Sequence, residues 1–297
     1  TRYSLEVARK LVGLGSPRVS PDGRSIAFLV TRPDFEKNHN ESELWIADAV
    51  TGSAHALTFE RHAVASPRWS PDGATLAFLA PDDKDEAQVW LLPMRGGEAR
   101  RLTHSRTGVE HFSWRPDGAA IAYAASDTLP VRTGEASHIA TLNVGDQDLF
   151  LRKEIAPQHI WLQPLAGEPR RLTNGTWSLE FVLPPGSAPS RLAWSPDGTQ
   201  IAFARVPAAQ SGRLDSTSVA VVDVASGEIR SLNGATRFQS NPVWSPDGRS
   251  IAYWFPRDGR GDINWVNELY VAPASGGDGR SVTRALDRMV FNGQWLA

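Results

Sequence analysis

A serine becomes a nucleophile when a strained turn exposes its hydroxyl beside backbone N–H donors and a base takes its proton. The string that delivers this on a strand–turn–helix is Gly-x-Ser-x-Gly. The 297-residue sequence contains no such string. Ser20, Ser70, Ser195 and Ser245 share one setting, directly ahead of Pro-Asp-Gly, where a serine serves a turn and not an elbow. There is no cysteine, so disulfides and thiol chemistry are excluded, though the compartment is not decided by this. The seven histidines (His39, His55, His62, His104, His111, His138 and His159) show no metal-ligand spacing. No metal or cofactor is expected.

The remaining chemical strings are weak. Asp82-Asp83-Lys84-Asp85-Glu86 lacks the alternating oxygen ligands and central glycine of a calcium loop, and reads as a solvated loop. Gly13-Leu14-Gly15 does not extend to a dinucleotide fingerprint, and Arg260-Gly261-Asp262 reads as a chance match in a glycine-rich loop. Asn40-Glu41-Ser42 and Asn174-Gly175-Thr176 are glycosylation sequons that matter only in a secreting, glycosylating host. The candidates kept for contact with substrate or a neighbouring domain are Arg152 and Glu154, a cation and a carboxylate in a long connection described below.

Those residues must be positioned by a repeat. Pro-Asp-Gly, two variable residues, Ile or Leu, Ala, then Phe or Tyr recurs at Pro21–Phe28, Pro71–Phe78, Pro116–Tyr123, Pro196–Phe203 and Pro246–Tyr253. Its aspartates, Asp22, Asp72, Asp117, Asp197 and Asp247, fall 50, 45, 80 and 50 residues apart. That spacing suits a four-stranded propeller blade of roughly 40–50 residues, with one blade carrying an insertion. Proline presets its own φ, aspartate caps the turn and glycine takes the left-handed conformation. A short strand ending at Val19, Trp69, Trp114, Trp194 or Trp244 precedes each turn. Third strands follow around Trp45, Trp90, Trp161, Ala220 and Tyr270, and fourth strands around Leu57-Thr58, Leu102-Thr103, Leu172-Thr173, Leu232-Asn233 and Val282-Thr283. Antiparallel hairpins repeated radially make a β-propeller. The fold class is therefore all-β, with blades at about 16–58, 65–103, 109–173, 187–233 and 240–284.

Both ends add to this. Residues 1–15 form an N-terminal helical segment, with Leu5, Val7, Ala8, Leu11 and Val12 on a helical period and Ser4 as N-cap. Residues 286–297 begin a sixth blade, because Trp295 matches the tryptophans ahead of the earlier turns. The reading of 16–297 is an incomplete propeller, and the chain is expected to be a fragment of a longer protein.

The eleven tryptophans fall largely on blade positions and are expected in the core. The formal net charge of −2 implies no nucleic-acid partner. No apolar run approaches the roughly 20 residues of a membrane span, so a soluble chain, cytoplasmic or periplasmic or secreted, is expected. The 80-residue step places an arm at Ser126–His159, in the third blade, about thirty residues longer than an inter-strand loop needs. Arg152 and Glu154 lie in it.

The blade pattern, the leading helix and the stretch His159-Ile160-Trp161-Leu162-Gln163-Pro164-Leu165-Ala166-Gly167-Glu168-Pro169-Arg170-Arg171-Leu172-Thr173 after a long third-blade insertion resemble the prolyl oligopeptidase family of serine peptidases, especially its acylaminoacyl-peptidase and dipeptidyl-peptidase-like branches. The resemblance implies a propeller that gates an α/β-hydrolase domain carrying the catalytic Ser, Asp and His, none of which this chain supplies. It implies a peptide substrate and a parent hydrolase, with homo-oligomers as a further expectation. Strict dipeptidyl-peptidase members hold the substrate amino terminus with paired glutamates on the arm. This sequence has no adjacent Glu-Glu, and Arg152-Lys153-Glu154 offers one carboxylate beside two cations. The alternative reading is a TolB-like propeller acting as an interaction scaffold.

Overall fold

The computed structural model describes residues 5–58, 61, 63–129, 131, 133–134, 156–180, 192–209, 216–234, 238–257, 266–286, 288, 290 and 295. They form a succession of antiparallel sheets, each built around one copy of the repeat. The first holds β1 (Gly13–Val19), β2 (Ser25–Asp34), β3 (His39–Asp48) and β4 (Ala54–Ala56), paired in that order. The second holds β5 (Ala65–Trp69), β6 (Thr75–Pro81), β7 (Ala87–Pro93) and β8 (Arg100–Arg101). The third holds β9 (His111–Trp114), β10 (Ala120–Ser126), β11 (Gln158–Pro164) and β12 (Arg170–Arg171). The fourth adds a strand: β13 (Ser178–Leu179) and β14 (Ala193–Trp194) both pair with β15 (Gln200–Val206), followed by β16 (Ser218–Asp223) and β17 (Ile229–Ser231). The fifth holds β18 (Ser240–Trp244), β19 (Ser250–Pro256), β20 (Asn267–Pro273) and β21 (Arg280–Ser281).

The chain divides into two compact units, Thr1–Ile121 with Gln163–Gly167, and Ala122–Leu162 with Glu168–Ala297. The first contains the first two sheets and the second contains the last two. In the first unit Leu44, Leu76 and Phe78 are fully buried around Ala27 and Val64. In the second, Val219, Leu232, Ile251 and Tyr253 pack with Trp244.

The repeat residues hold equivalent places. Val19 faces Ile26, Trp69 faces Leu76, Trp194 faces Ile201 and Trp244 faces Ile251 across the first hairpin. Each turn is tied by its own side chains. Ser20, Ser70, Ser195 and Ser245 donate from Oγ to the aspartate two residues on, at 2.5–2.6 Å. The same oxygens accept the N–H of Ser25, Thr75, Gln200 and Ser250 at 2.9 Å. The turn glycines sit at φ 69–73°, where any Cβ would be strained. The serines are fully engaged turn residues. In the first, second and fifth sheets the first strand carries a bulge at Ser16-Pro17, Ser66-Pro67 and Asn241-Pro242, with the residue before proline left-handed.

The threonine of the pair that closes four of the five blades makes a specific bond. The threonine hydroxyl oxygen accepts the N–H of the third-strand residue opposite: Thr58 from Leu44, Thr103 from Val89, Thr173 from Ile160 and Thr283 from Leu269, at 2.9–3.0 Å. In the fourth sheet asparagine stands at this place, and Gln239 Oε1 accepts the Val219 N–H instead. Asn233 then donates to the Tyr253 hydroxyl at 3.1 Å.

Two expectations change in detail. The N-terminal helix is short, Leu5–Ala8, because β1 already pairs from Gly13 instead of 16; Ser4 lies outside the described residues. The fourth sheet begins at Ser178 and not at 187, because Ser178 and Leu179 pair with Val206 and Arg205. Finally, the arm's Arg152 and Glu154 lie outside the described residues.

Candidate functional site

Two long connections leave the same region of the second unit. One is the arm after β10. The other interrupts the first strand of the fourth sheet, between β13 and β14. The residues at their roots form a braced polar and aromatic cluster.

The arm leaves through a closed neck, since the Asp127 N–H donates to the Pro157 carbonyl at 2.8 Å. The Asp127 carboxylate is held by the Arg171 guanidinium at 2.9 Å and lies 3.7 Å from His159 Nε2. Arg171 is on β12, opposite Trp161, so the fourth strand of the sheet braces the mouth of the arm. Arg171 also donates from Nε to the Thr173 carbonyl at 2.8 Å.

His159 is fully buried. Its Nδ1 is 3.2 Å from the Thr173 hydroxyl and its Nε2 is 3.1 Å from the Gly175 carbonyl. A carbonyl only accepts, so Nε2 carries the proton and Nδ1 accepts from Thr173. Burial, then the nearby Arg171 charge, hold the imidazole below its ordinary pKa. Both its nitrogens are engaged within the fold. Gln88 occupies the same repeat position in the second sheet, where it joins Thr103 and Ser105. His159 is a positioning residue.

Past His159 the chain turns at Gly175, φ 129°. A Cβ there would stand 2.8 Å from Trp177 Cδ1. Trp177 meets His159 edge-on at 4.9 Å and stacks on Phe203 at 5.5 Å. The Arg205 guanidinium lies over Trp177 at 5.7 Å, its pKa lowered by burial. Gln158 N–H donates to Ser178 Oγ at 3.0 Å, which fixes β13 beside β11.

Glu180 follows β13, its N–H donating to the Ala204 carbonyl at 2.9 Å. Burial pushes its carboxyl up to about 7. Protein surrounds the side chain on most sides, yet it keeps an opening to solvent. At the roots of the two connections stand an indole with a half-buried guanidinium over it and, directly after β13, a carboxyl poised near neutrality.

The sequence reading missed this cluster except for the arm itself. A signal was present. Thr58 to Trp69, Thr103 to Trp114 and Asn233 to Trp244 are each 11 residues apart, whereas Thr173 to Trp194 spans 21. The extra ten residues are the second connection, and Glu180 stands at its start.

Other candidates resolve as structure. Asp82 accepts the N–H groups of Lys84 and Glu86 and pairs with Arg101 at 3.1 Å, so the acidic run is a closed loop. Among the described residues one grouping, Asp34, His39 and Glu41, brings potential ligand atoms within 4.8 Å of one another. Lys37 Nζ already lies 3.3 Å from Asp34 and 2.8 Å from Glu41, so an ammonium bridges the two carboxylates of this hairpin tip.

These antiparallel sheets and their turn chemistry are those of a β-propeller, and residues 5–136 match the family described as PD40, the TolB beta propeller domain. The proteins it is similar to include peptidases. A 119-residue stretch is 30% identical to dipeptidyl-peptidase 5 of Porphyromonas gingivalis, covering 39% of this chain and 17% of that protein. The acylaminoacyl peptidase of Pyrococcus horikoshii superposes with a TM-score of 0.71 at 16% identity, over 98% of this chain and 43% of that one. The β-propeller domain of the Trilobed protease from Pyrococcus furiosus superposes with a TM-score of 0.60 at 15% identity, over 95% and 75%. The chain thus spans less than half the length of the acylaminoacyl peptidase, and shares its propeller fold. No helix among the described residues is long and apolar enough to cross a membrane.

Proposed function

We propose that this chain is the non-catalytic propeller of a serine peptidase of the prolyl oligopeptidase family, and that it controls which peptides reach a hydrolase domain outside these residues. The observation that carries the reading is the match of its sequence and of its whole fold to propellers of peptidases. The sequence itself offers no nucleophile elbow. Trp177 with Arg205 over it, and Glu180 at the start of the second connection, would give the propeller a means of discriminating peptides. An indole provides apolar contact, while a carboxyl and a guanidinium orient polar groups of a peptide. Arg152 and Glu154, in the arm that springs from the Asp127–Pro157 neck, are proposed to approach the substrate or the domain interface. The peptide itself and any homo-oligomer are part of this proposal.

The test has two parts. The purified 297-residue polypeptide is expected to hydrolyse no peptide or ester, because it lacks an activated serine. The polypeptide from the full reading frame is expected to label with a fluorophosphonate and to cleave short peptides but not folded proteins. Turnover by the short polypeptide after removal of contaminating peptidases, or absence of any labelled serine in the full one, would overturn the reading.

A further inference from the structure

A cleft of about 400 Å³ lies between the fourth and fifth sheets, and all of its walls belong to the second unit. A Cβ on Gly248 would lie 3.5 Å from Pro196 Cδ, so two Pro-Asp-Gly turns stand against each other on one side of it. On the other side Arg230, on β17, donates from Nη2 to the Ala274 carbonyl in the turn between β20 and β21. The volume falls within the roughly 300–1,000 Å³ that small-molecule sites occupy.

Two N–H donors of the lining residues have nothing to donate to. Trp244 is 8% exposed, and its Nε1 has no partner among the described residues. The repeat shows what is missing. Trp69 Nε1 donates to the Arg18 carbonyl at 2.9 Å, Trp114 Nε1 to the Arg68 carbonyl at 3.2 Å and Trp295 Nε1 to the Val243 carbonyl at 3.3 Å. Each acceptor directly precedes the last residue of the first strand in the sheet before. For Trp244 the equivalent acceptor is the Ala193 carbonyl, and that bond is not made. Arg230 supplies the second donor. Its Nη2 is shared between the Ala274 carbonyl and Gln200 Oε1, whereas its buried Nη1 has no partner among the described residues. Folded proteins rarely leave buried N–H groups unpaired, so two beside one cleft call for an acceptor in it.

The same cleft presents negative charge at its mouth. Asp197 and Asp247 line it, one from each turn, and both are exposed. Each uses Oδ1 for its own turn: Asp197 accepts there from Ser195 Oγ and the Thr199 N–H, and Asp247 from Ser245 Oγ and the Arg249 N–H. Those bonds, the serine hydroxyl first, hold both carboxyls below the ordinary aspartate value, so both are ionised at neutral pH. Oδ2 of each is left for a donor from outside. A bare anion would meet two carboxylates against one guanidinium, and a bare cation would leave both N–H donors unpaired. A small zwitterion satisfies all four groups. Pro196, Trp244 and Ala274 supply an apolar wall beside them.

We propose that this cleft binds a free α-amino acid with an apolar side chain, its carboxylate accepting from Arg230 and Trp244 and its ammonium facing Asp197 and Asp247. The site shares no residue with the Trp177 region and does not rest on the peptidase reading.

The test is titration calorimetry with L-leucine on the polypeptide of the full reading frame, after treatment with a fluorophosphonate so that no reactive serine contributes. Saturable binding of L-leucine is expected. N-acetyl-L-leucine, which lacks the ammonium, and L-leucinamide, which lacks the carboxylate, should each bind about tenfold more weakly or less well still. Trp244→Phe keeps an aromatic ring and removes the N–H, and should weaken L-leucine about tenfold. Asp197→Asn with Asp247→Asn keeps the Oδ1 acceptors of both turns; it should weaken L-leucine by a similar factor and leave N-acetyl-L-leucine unchanged. Arg230→Gln should abolish binding, and if its loss of the Ala274 bond unfolds the protein, the other two variants carry the test. In a nitrogen-15 spectrum, the indole resonance that Trp244→Phe deletes should move when L-leucine is added. No saturable binding at millimolar L-leucine overturns the proposal, as does equal binding of either single-ended analogue. Wild-type affinity in Trp244→Phe and in the double asparagine variant overturns it too. An indole resonance that no probe moves would mean that water alone meets these donors, and the proposal falls.

Discussion

Glu180 holds its carboxyl where water still reaches it but protein replaces most of its hydration, which raises its pKa to about 7. The sign of the consequence follows. An acid whose folded pKa lies above its unfolded value destabilises the fold as it ionises. Stability is therefore unaffected below the ordinary glutamate range and falls as pH rises from there to about 7. Glu180→Gln is expected to flatten that slope and to raise stability at pH 8 by on the order of 1–3 kcal/mol, read by urea unfolding at several pH values. A profile as steep as wild type would mean that the carboxyl ionises freely. The turn aspartates behave oppositely. The serine hydroxyl, then the backbone N–H of the turn, hold Asp22, Asp72, Asp197 and Asp247 below the ordinary aspartate value. Their contribution is complete above that value and is lost as pH falls through the depressed ones. Replacing all four by Asn should shift the acid unfolding midpoint and leave the neutral-pH profile shape unchanged.

Strands, turns and connections show why the repeat is so regular. Each Pro-Asp-Gly copy carries its own bonding within a few residues, so the turn forms wherever the string occurs. Ser245→Ala removes the donor to Asp247 and leaves the Ser250 N–H without its acceptor. The expected cost is about 1–3 kcal/mol, measured by chemical denaturation, and no measurable change would show that water replaces the hydroxyl there. Gly175→Ala tests the other kind of element, the bend that seats Trp177. With φ at 129° and a tryptophan carbon 2.8 Å from the added Cβ, it should cost about 1–3 kcal/mol. It should also alter the near-ultraviolet circular dichroism of Trp177; an unchanged spectrum would contradict the packing described. The sheets were legible in the sequence because these local bonds are written in adjacent residues. The arm was legible as excess length. The Asp127–Arg171–His159 brace was not, because its members lie on three elements 44 residues apart at the ends and no spacing rule joins them. Glu180 was hidden for a related reason. A two-residue strand, Ser178–Leu179, has no periodicity to read, and only its pairing with β15 reveals it.

At the level of the whole molecule, a propeller blade needs only short connections. The second sheet joins its middle strands through residues 82–86, while the third uses 127–157 for the same task. The excess contains Leu149-Phe150-Leu151, and apolar surface left in water costs roughly 25 cal/mol per Å². That sequence therefore calls for a partner surface, whether a hydrolase domain, another subunit or the propeller itself. The neck at Asp127 and Pro157, joined by a 2.8 Å hydrogen bond, lets the arm be removed without opening the sheet. Replacing residues 128–156 by a two-glycine link in the polypeptide of the full reading frame should leave its thermal midpoint within a few degrees of wild type. If the arm meets substrate, KM for short peptides should change; if it meets another subunit, the sedimenting mass should fall. Arg152→Ala and Glu154→Ala should reproduce part of whichever effect appears, because both charges lie within three residues of the apolar run. Peptide kinetics and mass both at wild-type values after deletion would show that the arm is surface decoration and that the proposed selectivity resides elsewhere on the propeller.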